Sequence, residues 1–258
     1  MTNNLKIILS PTKTMNTKKN CSNLQDSFPF FLDKSIFLIK ELRNFSIKEL
    51  SDTMNISSKI AELNYHRFKK WCLANTCYDK WIPAASIYSG EAYKGLDYNS
   101  LSEKNKLRAH KSLFILSGLY GILRANDRIY PYRLEMGLKW KISSQYDNLY
   151  RYWENNITQY LNSNLSSNDI LINLASQEYY KAIKQKEIKN LIITPVFKTF
   201  KNGSYKTIAI HSKLARGLMS RYIIENNINN TNELKRFEEG GYFYNDKLSS
   251  EKEIVFIK

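Results

Sequence analysis

The stretch KIILSPTKTM, Lys6 to Met15, sets the expectation for the whole chain. Ile7, Ile8 and Leu9 form an apolar run of strand length, and Ser10, Pro11, Thr12, Lys13 and Thr14 close it with hydroxyls, a helix breaker and a cation. A run without polar alternation suits a strand covered on both faces, as inside a sheet with parallel character. The format recurs. FILSG places Ser117 after Phe114 to Leu116, and INLAS places Ser176 after a run that begins at Ile170. In open α/β sheets ligands gather beyond the carboxyl ends of such strands, so if these strands are neighbours, Ser10, Ser117 and Ser176 border one cleft. The plainer alternative makes each serine only a turn or cap residue.

Ionisable residues stand near these ends. Lys13 and Arg124 follow the first two serines, Arg133 and Glu135 belong to YPYRLEMG (Tyr130 to Gly137), and Arg216 and Arg221 belong to SKLARGLMSRYIIE (Ser212 to Glu225). Hydroxyls and amides supply neutral donors to an anion, while arginine and lysine supply charge and bidentate geometry. Arg216 and Arg221 lie about 140° apart on an ideal helix, so their spacing does not force both into one cleft. Lys13 is the candidate anion clamp, base or nucleophile, and Glu135 the candidate proton carrier. No GxxxxGK[ST], GxGxxG or GxSxG motif is present, and no histidine stands beside the serines.

Between the first two runs the texture is helical. The polar stretch Asn16 to Ser27 is expected to form a surface loop, and Phe30 to Leu42 recurs at helical spacing. Ser46 is placed to cap a helix through about Met54, and Ser57 or Ser58 a second through Lys70 to about Cys72. Ser86 to Tyr88 reads as a strand entering YSGEAYKGL (Tyr88 to Leu96), itself expected to be a turn packed on aromatics. A charged helix near Glu103 to Lys111 follows, then an aromatic helix from about Tyr146 to Leu161, strands over Leu191 to Phe197 and Ser204 to Ile210, and a closing hairpin of Tyr242 to Tyr244 with Ile254 to Ile257. The fold class expected is mixed α/β (α+β): a central mixed sheet with partly parallel strands, flanked by helices, carrying a helical insertion at about 27–81. With 258 residues, no linker and no internal repeat, residues 1–258 are expected to form a single domain.

Within the insertion, Met54-Asn55-Ile56-Ser57-Ser58-Lys59-Ile60-Ala61 follows the order of a helix-hairpin-helix turn, with Asn and Ser in place of its two glycines. Asn tolerates left-handed backbone geometry and Ser caps the second helix, so the hairpin remains feasible. Such a turn offers amides and a helix N-terminus to a DNA phosphate. Asn55, Ser57 and Lys59 would stand at that phosphate, with Arg67, Lys69 and Lys70 extending the contact. An ordinary helical pair with a solvated basic face is the competing expectation.

Charge favours a polyanionic partner: 39 Lys and Arg against 24 Asp and Glu leave +15. Abundant Lys, Asn and Ile also fit an AT-rich genome, which supplies lysines with no ligand behind them. Cys21, Cys72 and Cys77 contain no CxxC pair and His66, His110 and His211 lie far apart, so reduced structural thiols and no metal site are expected. Oxidation sensing through Cys72 or Cys77 stays open. No window approaches about 18 apolar residues and no signal-peptide layout opens the chain, which points to a cytoplasmic protein without a membrane partner.

LSPTKT, YSGEAYKGL, LSGLYGILR, YPYRLEMG, INLASQEYY, ARGLMSRYII and GGYFYND, in this order, together resemble the YaaA family of bacterial peroxide-stress-response proteins, Thr12 standing where that family usually has Ala. The resemblance runs nearly end to end. It implies a mixed α/β fold peculiar to the family, a positively charged cleft, a helix-hairpin-helix element, binding of double-stranded and distorted DNA, and a lowering of free intracellular iron under peroxide. The cleft positions it carries over are Lys13, Ser117, Arg124, Arg133, Glu135, Ser176, Arg216 and Arg221. Two functions follow as expectations. The first is a monomeric, cofactor-free, non-enzymatic protein binding the phosphate backbone of double-stranded DNA without sequence specificity. The second is an enzyme acting on a nucleotide, damaged base or other small anionic substrate in the cleft.

Overall fold

The computed structural model describes residues 4–17 and 26–258. Cys21 and most of the stretch expected to loop, residues 18–25, lie outside the described residues. In chain order the strands are β1 (Leu5–Leu9), β2 (Ile82–Pro83), β3 (Leu113–Ser117), β4 (Gly121–Arg124), β5 (Arg128–Ile129), β6 (Ile170–Leu174), β7 (Ile192–Lys201), β8 (Ser204–Lys206), β9 (Phe243–Tyr244) and β10 (Glu253–Ile257). The α-helices are α1 (Leu32–Leu42), α2 (Ile47–Met54), α3 (Ser58–Lys70), α4 (Ala74–Cys77), α5 (Ala84–Ile87), α6 (Glu91–Leu96), α7 (Glu103–Ser112), α8 (Leu149–Trp153), α9 (Asn156–Asn164), α10 (Gln177–Tyr180), α11 (Ala209–Glu225) and α12 (Thr231–Leu234). Among the described residues no helix is long and apolar enough to cross a membrane.

The main sheet runs β4-β3-β1-β6-β7-β10-β9, with β8 paired to β7. Its centre is the opening run. Ile7, Ile8 and Leu9 are buried, and β1 lies between β3 and β6, parallel to both, with Leu9 opposite Ile115 and Leu174. The serine-ended runs are therefore adjacent and finish at the same end of the sheet. β4 returns antiparallel beside β3, Ser117 facing Gly121 and Phe114 facing Arg124. Gly121 takes φ +73°, and the Trp153 ring lies where its side chain would be. β6 and β7 pair only at Leu171–Ile192 and Ile172–Ile193 before β7 leaves to pair in parallel with β10. At the fork, Asn173 Nδ2 donates to Thr194 Oγ1 at 3.3 Å. The sheet is thus mixed and partly parallel, as the apolar runs imply.

The helical segment before β2 has its helices where the serines predict, although of the expected caps only Ser46 bonds its helix through the side chain. Ser46 and Glu49 form a reciprocal capping box at the start of α2. Asn55 ends α2 with φ 49° and ψ 58°, the left-handed geometry the hairpin needs, and Ser57 opens α3. Arg43, just past α1, donates to Phe68 O at 2.9 Å and Trp71 O at 2.5 Å, satisfying carbonyls at the end of α3. Phe37 stacks on Tyr152, and Phe31 packs on Trp153 and Tyr160, tying α1 to α8 and α9.

Several expectations fail for local reasons. Ser86 lies in α5 rather than a strand, because Ala84 and Ala85 donate their amides to Asp127 O and Ala125 O and the chain then coils. YSGEAYKGL holds α6 rather than a turn. Gly90 is its N-cap, and Gly95 lies within it where α11 passes close. The aromatic helix breaks at Glu154 (φ 34°), dividing into α8 and α9. The break lets Trp153 turn inward and donate Nε1–H to Gly118 O at 2.9 Å. Helix α11 begins at Ala209, three residues before the serine expected to start it, and β8 is correspondingly short.

Nor are all the thiols separate: Cys72 and Cys77 form a disulfide, their Cα atoms 6.2 Å apart. The turn of α4 brings the two together directly after α3. In native, unreduced protein both are expected to escape alkylation and to react once reductant is added, as peptide mass spectrometry reads; alkylation of both without reductant would contradict the bridge. Closing so short a loop is worth about 2 kcal/mol by chain entropy. Reductant is therefore expected to lower the melting temperature by about 4–8 °C.

Candidate functional site

Beyond the carboxyl ends of β1 and β6 lies a cavity of about 530 Å³. Ser10, Thr12, Lys13 and Thr14 border it after β1; Ser176, Gln177 and Glu178 after β6; Tyr132, Arg133 and Glu135 from YPYRLEMG; Glu91 and Ala92 from α6; Lys213 and Arg216 from α11.

Each group is set by its neighbours. Ser10 Oγ accepts the Ser176 amide at 2.8 Å and lies 3.2 Å from Ser176 Oγ, latching the ends of β1 and β6. Tyr93 OH donates to Ser10 O at 3.0 Å. The loop after Pro11 is fixed where Ser89 N donates to Thr14 O at 3.1 Å and where Gly90, having no β-carbon, admits the Thr12 side chain. Residues 131–135 run without helix or strand into a turn at Met136 and Gly137, with Tyr132, Leu134 and Met136 buried and Arg133 and Glu135 half-buried, so alternate side chains serve core and cavity. Helix α11 reaches the site because Gly217 meets the backbone of α6.

The electrostatics are uneven. Arg133 donates Nε and Nη2 to Glu135 Oε1 at 3.1 and 2.9 Å, and Lys13 Nζ lies 3.2 Å from the same oxygen. The Lys13 side chain is 63% exposed against 14% for Glu135, so the lysine stands at the mouth and is free to swing. Glu135 Oε2 is buried without a hydrogen-bond partner among the described residues. Glu178 is held in place by the Gly137 amide, 3.0 Å from Oε1. Burial pulls the Arg216 guanidinium below its ordinary pKa. Burial also pushes Tyr132 up to about 12 and Tyr93 and Tyr179 well above the usual phenol value, so all three are neutral hydroxyls at physiological pH.

The structure thus brings Ser10, Lys13, Arg133, Glu135, Ser176 and Arg216 around one cavity. Ser117, Arg124 and Arg221 lie elsewhere. Ser117 is fully buried, its hydroxyl 2.5 Å from Tyr132 OH and accepting the Tyr120 amide, so it acts by fixing Tyr132. Arg124 is carried by β4 back to the far end of β3, where it pairs with Asp127 at 3.4 Å. Arg221 clamps the end of α6, donating to Asp97 O at 3.0 Å and Ser100 Oγ at 2.8 Å and pairing with Glu225. Sequence reasoning missed Tyr132 and Lys213 as cavity residues. The period-two alternation through YPYRLEMG is the signal for Tyr132, while nothing local marks Lys213.

The DNA candidates lie apart, on α2–α3. Asn55, Ser57, Lys59, Lys69 and Lys70 are exposed. Lys69 Nζ donates to Arg43 O at 2.8 Å, and Arg67 is half-buried, burial lowering its pKa, so these two are partly committed within the fold.

A mixed α/β protein with a cationic cavity at the ends of its parallel strands is the class these features define. The family described as "Peroxide stress protein YaaA" matches residues 5–248, and the chain belongs to it. A UPF0246 protein of Aliivibrio fischeri (strain MJ11) is 42% identical over 252 residues, 97% of this chain and 96% of its own. One from Shewanella loihica is 41% identical over 254 residues, 98% of each.

Proposed function

We propose that the chain is a DNA-binding protein of the peroxide stress response, holding duplex or distorted DNA by its phosphate backbone on the α2–α3 hairpin. The stress role follows from family membership. The observation that supports DNA binding is the hairpin itself: Asn55 takes left-handed geometry where such turns use glycine, and α3 opens at Ser57 without a side-chain cap, with Lys59 exposed two residues on, in the first turn. The uncapped amides and the positive end of the helix dipole suit a phosphate oxygen, and Lys59 adds charge.

Fluorescence anisotropy with a labelled duplex at low salt tests this reading. Asn55→Gly is expected to keep affinity, because glycine takes the same backbone conformation. Asn55→Val and Lys59→Glu are each expected to weaken binding about tenfold or more. Unchanged affinity in both weakening variants would sink the hairpin as the contact. The same reading includes a fall in free iron under peroxide, measurable as chelatable iron in cells with and without the gene.

A further inference from the structure

The cavity holds charge that the protein does not balance. Its lining carries Lys13, Arg133, Lys213 and Arg216 against Glu91, Glu135 and Glu178. Glu91 is further neutralised by Lys94, 2.5 Å away. Among the lining groups themselves four cations meet three carboxylates, so an excess of one positive charge faces the space. Arg216 is its centre: among the described residues no carboxylate or other acceptor pairs with its guanidinium, although it is half-buried. A partly desolvated cation without a counter-ion is costly, and a bound anion removes the cost.

The geometry points to a phosphomonoester of mononucleotide size, a phosphorylated nucleoside, as the ligand of this cavity. Three observations choose it over a simple carboxylate. The phosphate oxygens need several donors, and Thr12, Thr14 and Ser176 line the space beside Arg216 and Lys213. The remainder of the ligand must present an N–H or O–H donor, because Glu135 Oε2 is buried and unpartnered. Leu9, Leu134, Leu174 and Tyr132 give the cavity an apolar wall for a flat ring, and about 530 Å³ exceeds what inorganic phosphate alone fills. Lys13, at the mouth, exchanges part of its contact with Glu135 for the phosphate.

The assignment is independent of the hairpin, so Lys59→Glu is expected to leave it intact. Isothermal titration of the full chain against nucleoside 5′-monophosphates, the matching nucleosides and inorganic phosphate decides it. Monophosphates are expected to bind at least tenfold more tightly than either fragment. Arg216→Ala is expected to weaken the monophosphates by roughly ten- to hundredfold and the nucleosides little. Arg216→Lys should recover part of the loss, and unchanged melting temperatures would show that both variants fold. Competition adds a check: neither a fully paired duplex nor one with an unpaired nucleotide, whose phosphates are singly charged diesters, is expected to displace the monophosphate, and displacement by either would contradict a monoester site. Phosphate binding as tightly as the monophosphates, no binding of any monophosphate at millimolar concentration, or an Arg216→Ala variant with unaltered affinity would each overturn the proposal.

Discussion

Gly217→Ala is expected to lower the melting temperature by about 4–8 °C, read by a thermal melt followed by circular dichroism. Helices α6 and α11 cross where each has a glycine. A β-carbon on Gly217 would overlap the Ala92 carbonyl oxygen and lie 2.8 Å from Leu96 N, and one on Gly95 would lie 2.7 Å from Leu218 N. These neighbours are backbone and cannot rotate aside, so the helices must separate. Overpacking of this kind costs about 3 kcal/mol. Helix propensity runs the other way, favouring alanine over glycine by about 1 kcal/mol, so the sign alone is informative. A more stable variant would mean that the crossing has room to spare. Because Arg216 precedes Gly217 and Ala92 lines the same cavity, the separation should also pull the guanidinium away from the site.

Raising monovalent salt from 50 to 200 mM is expected to weaken duplex binding about 100-fold, the loss for roughly four neutralised phosphates. Lys48, Lys59, Lys69 and Lys70 are the exposed lysines of α2 and α3 that set this number. Replacing Lys59 and Lys70 together by alanine should reduce the slope of log affinity against log salt by about two. Lys69 is a poorer choice for the test, since its Nζ also holds Arg43 O. Anisotropy titrations on two unrelated duplex sequences should give the same slope. A salt-independent affinity, or one that differs strongly between the two duplexes, would contradict backbone binding on this surface.

Much of this molecule is legible from Lys6 to Met15 outward, because strands covered on both faces must be apolar throughout. That places β1, β3 and β6, and it places Ser10 and Ser176 at the cavity. Ser117 misleads because it is the last residue of its strand rather than the first after it, so it faces the interior. Arg124 misleads because a tight turn reverses the chain, and closeness in sequence becomes distance in space. The angle between Arg216 and Arg221 already tells against a shared cleft, and the structure sends one to the cavity and the other to the end of α6. The glycines of YSGEAYKGL suggest a turn because glycine is read first as flexibility. Here Gly95 is needed for what it lacks, and only the partner helix, more than a hundred residues later, supplies that reason.

The short pairing of β6 with β7 divides the sheet into two panels joined by a seam two residue pairs long. One panel, with β1 at its middle, carries the latch of Ser10 and Ser176; the other, built on β7 and β10, carries none of the cavity's groups. Helix α11 touches both β1 and β7. It therefore works as a splint across the seam, and because Arg216 is mounted on that splint, the position of its guanidinium in the cavity is set by both panels.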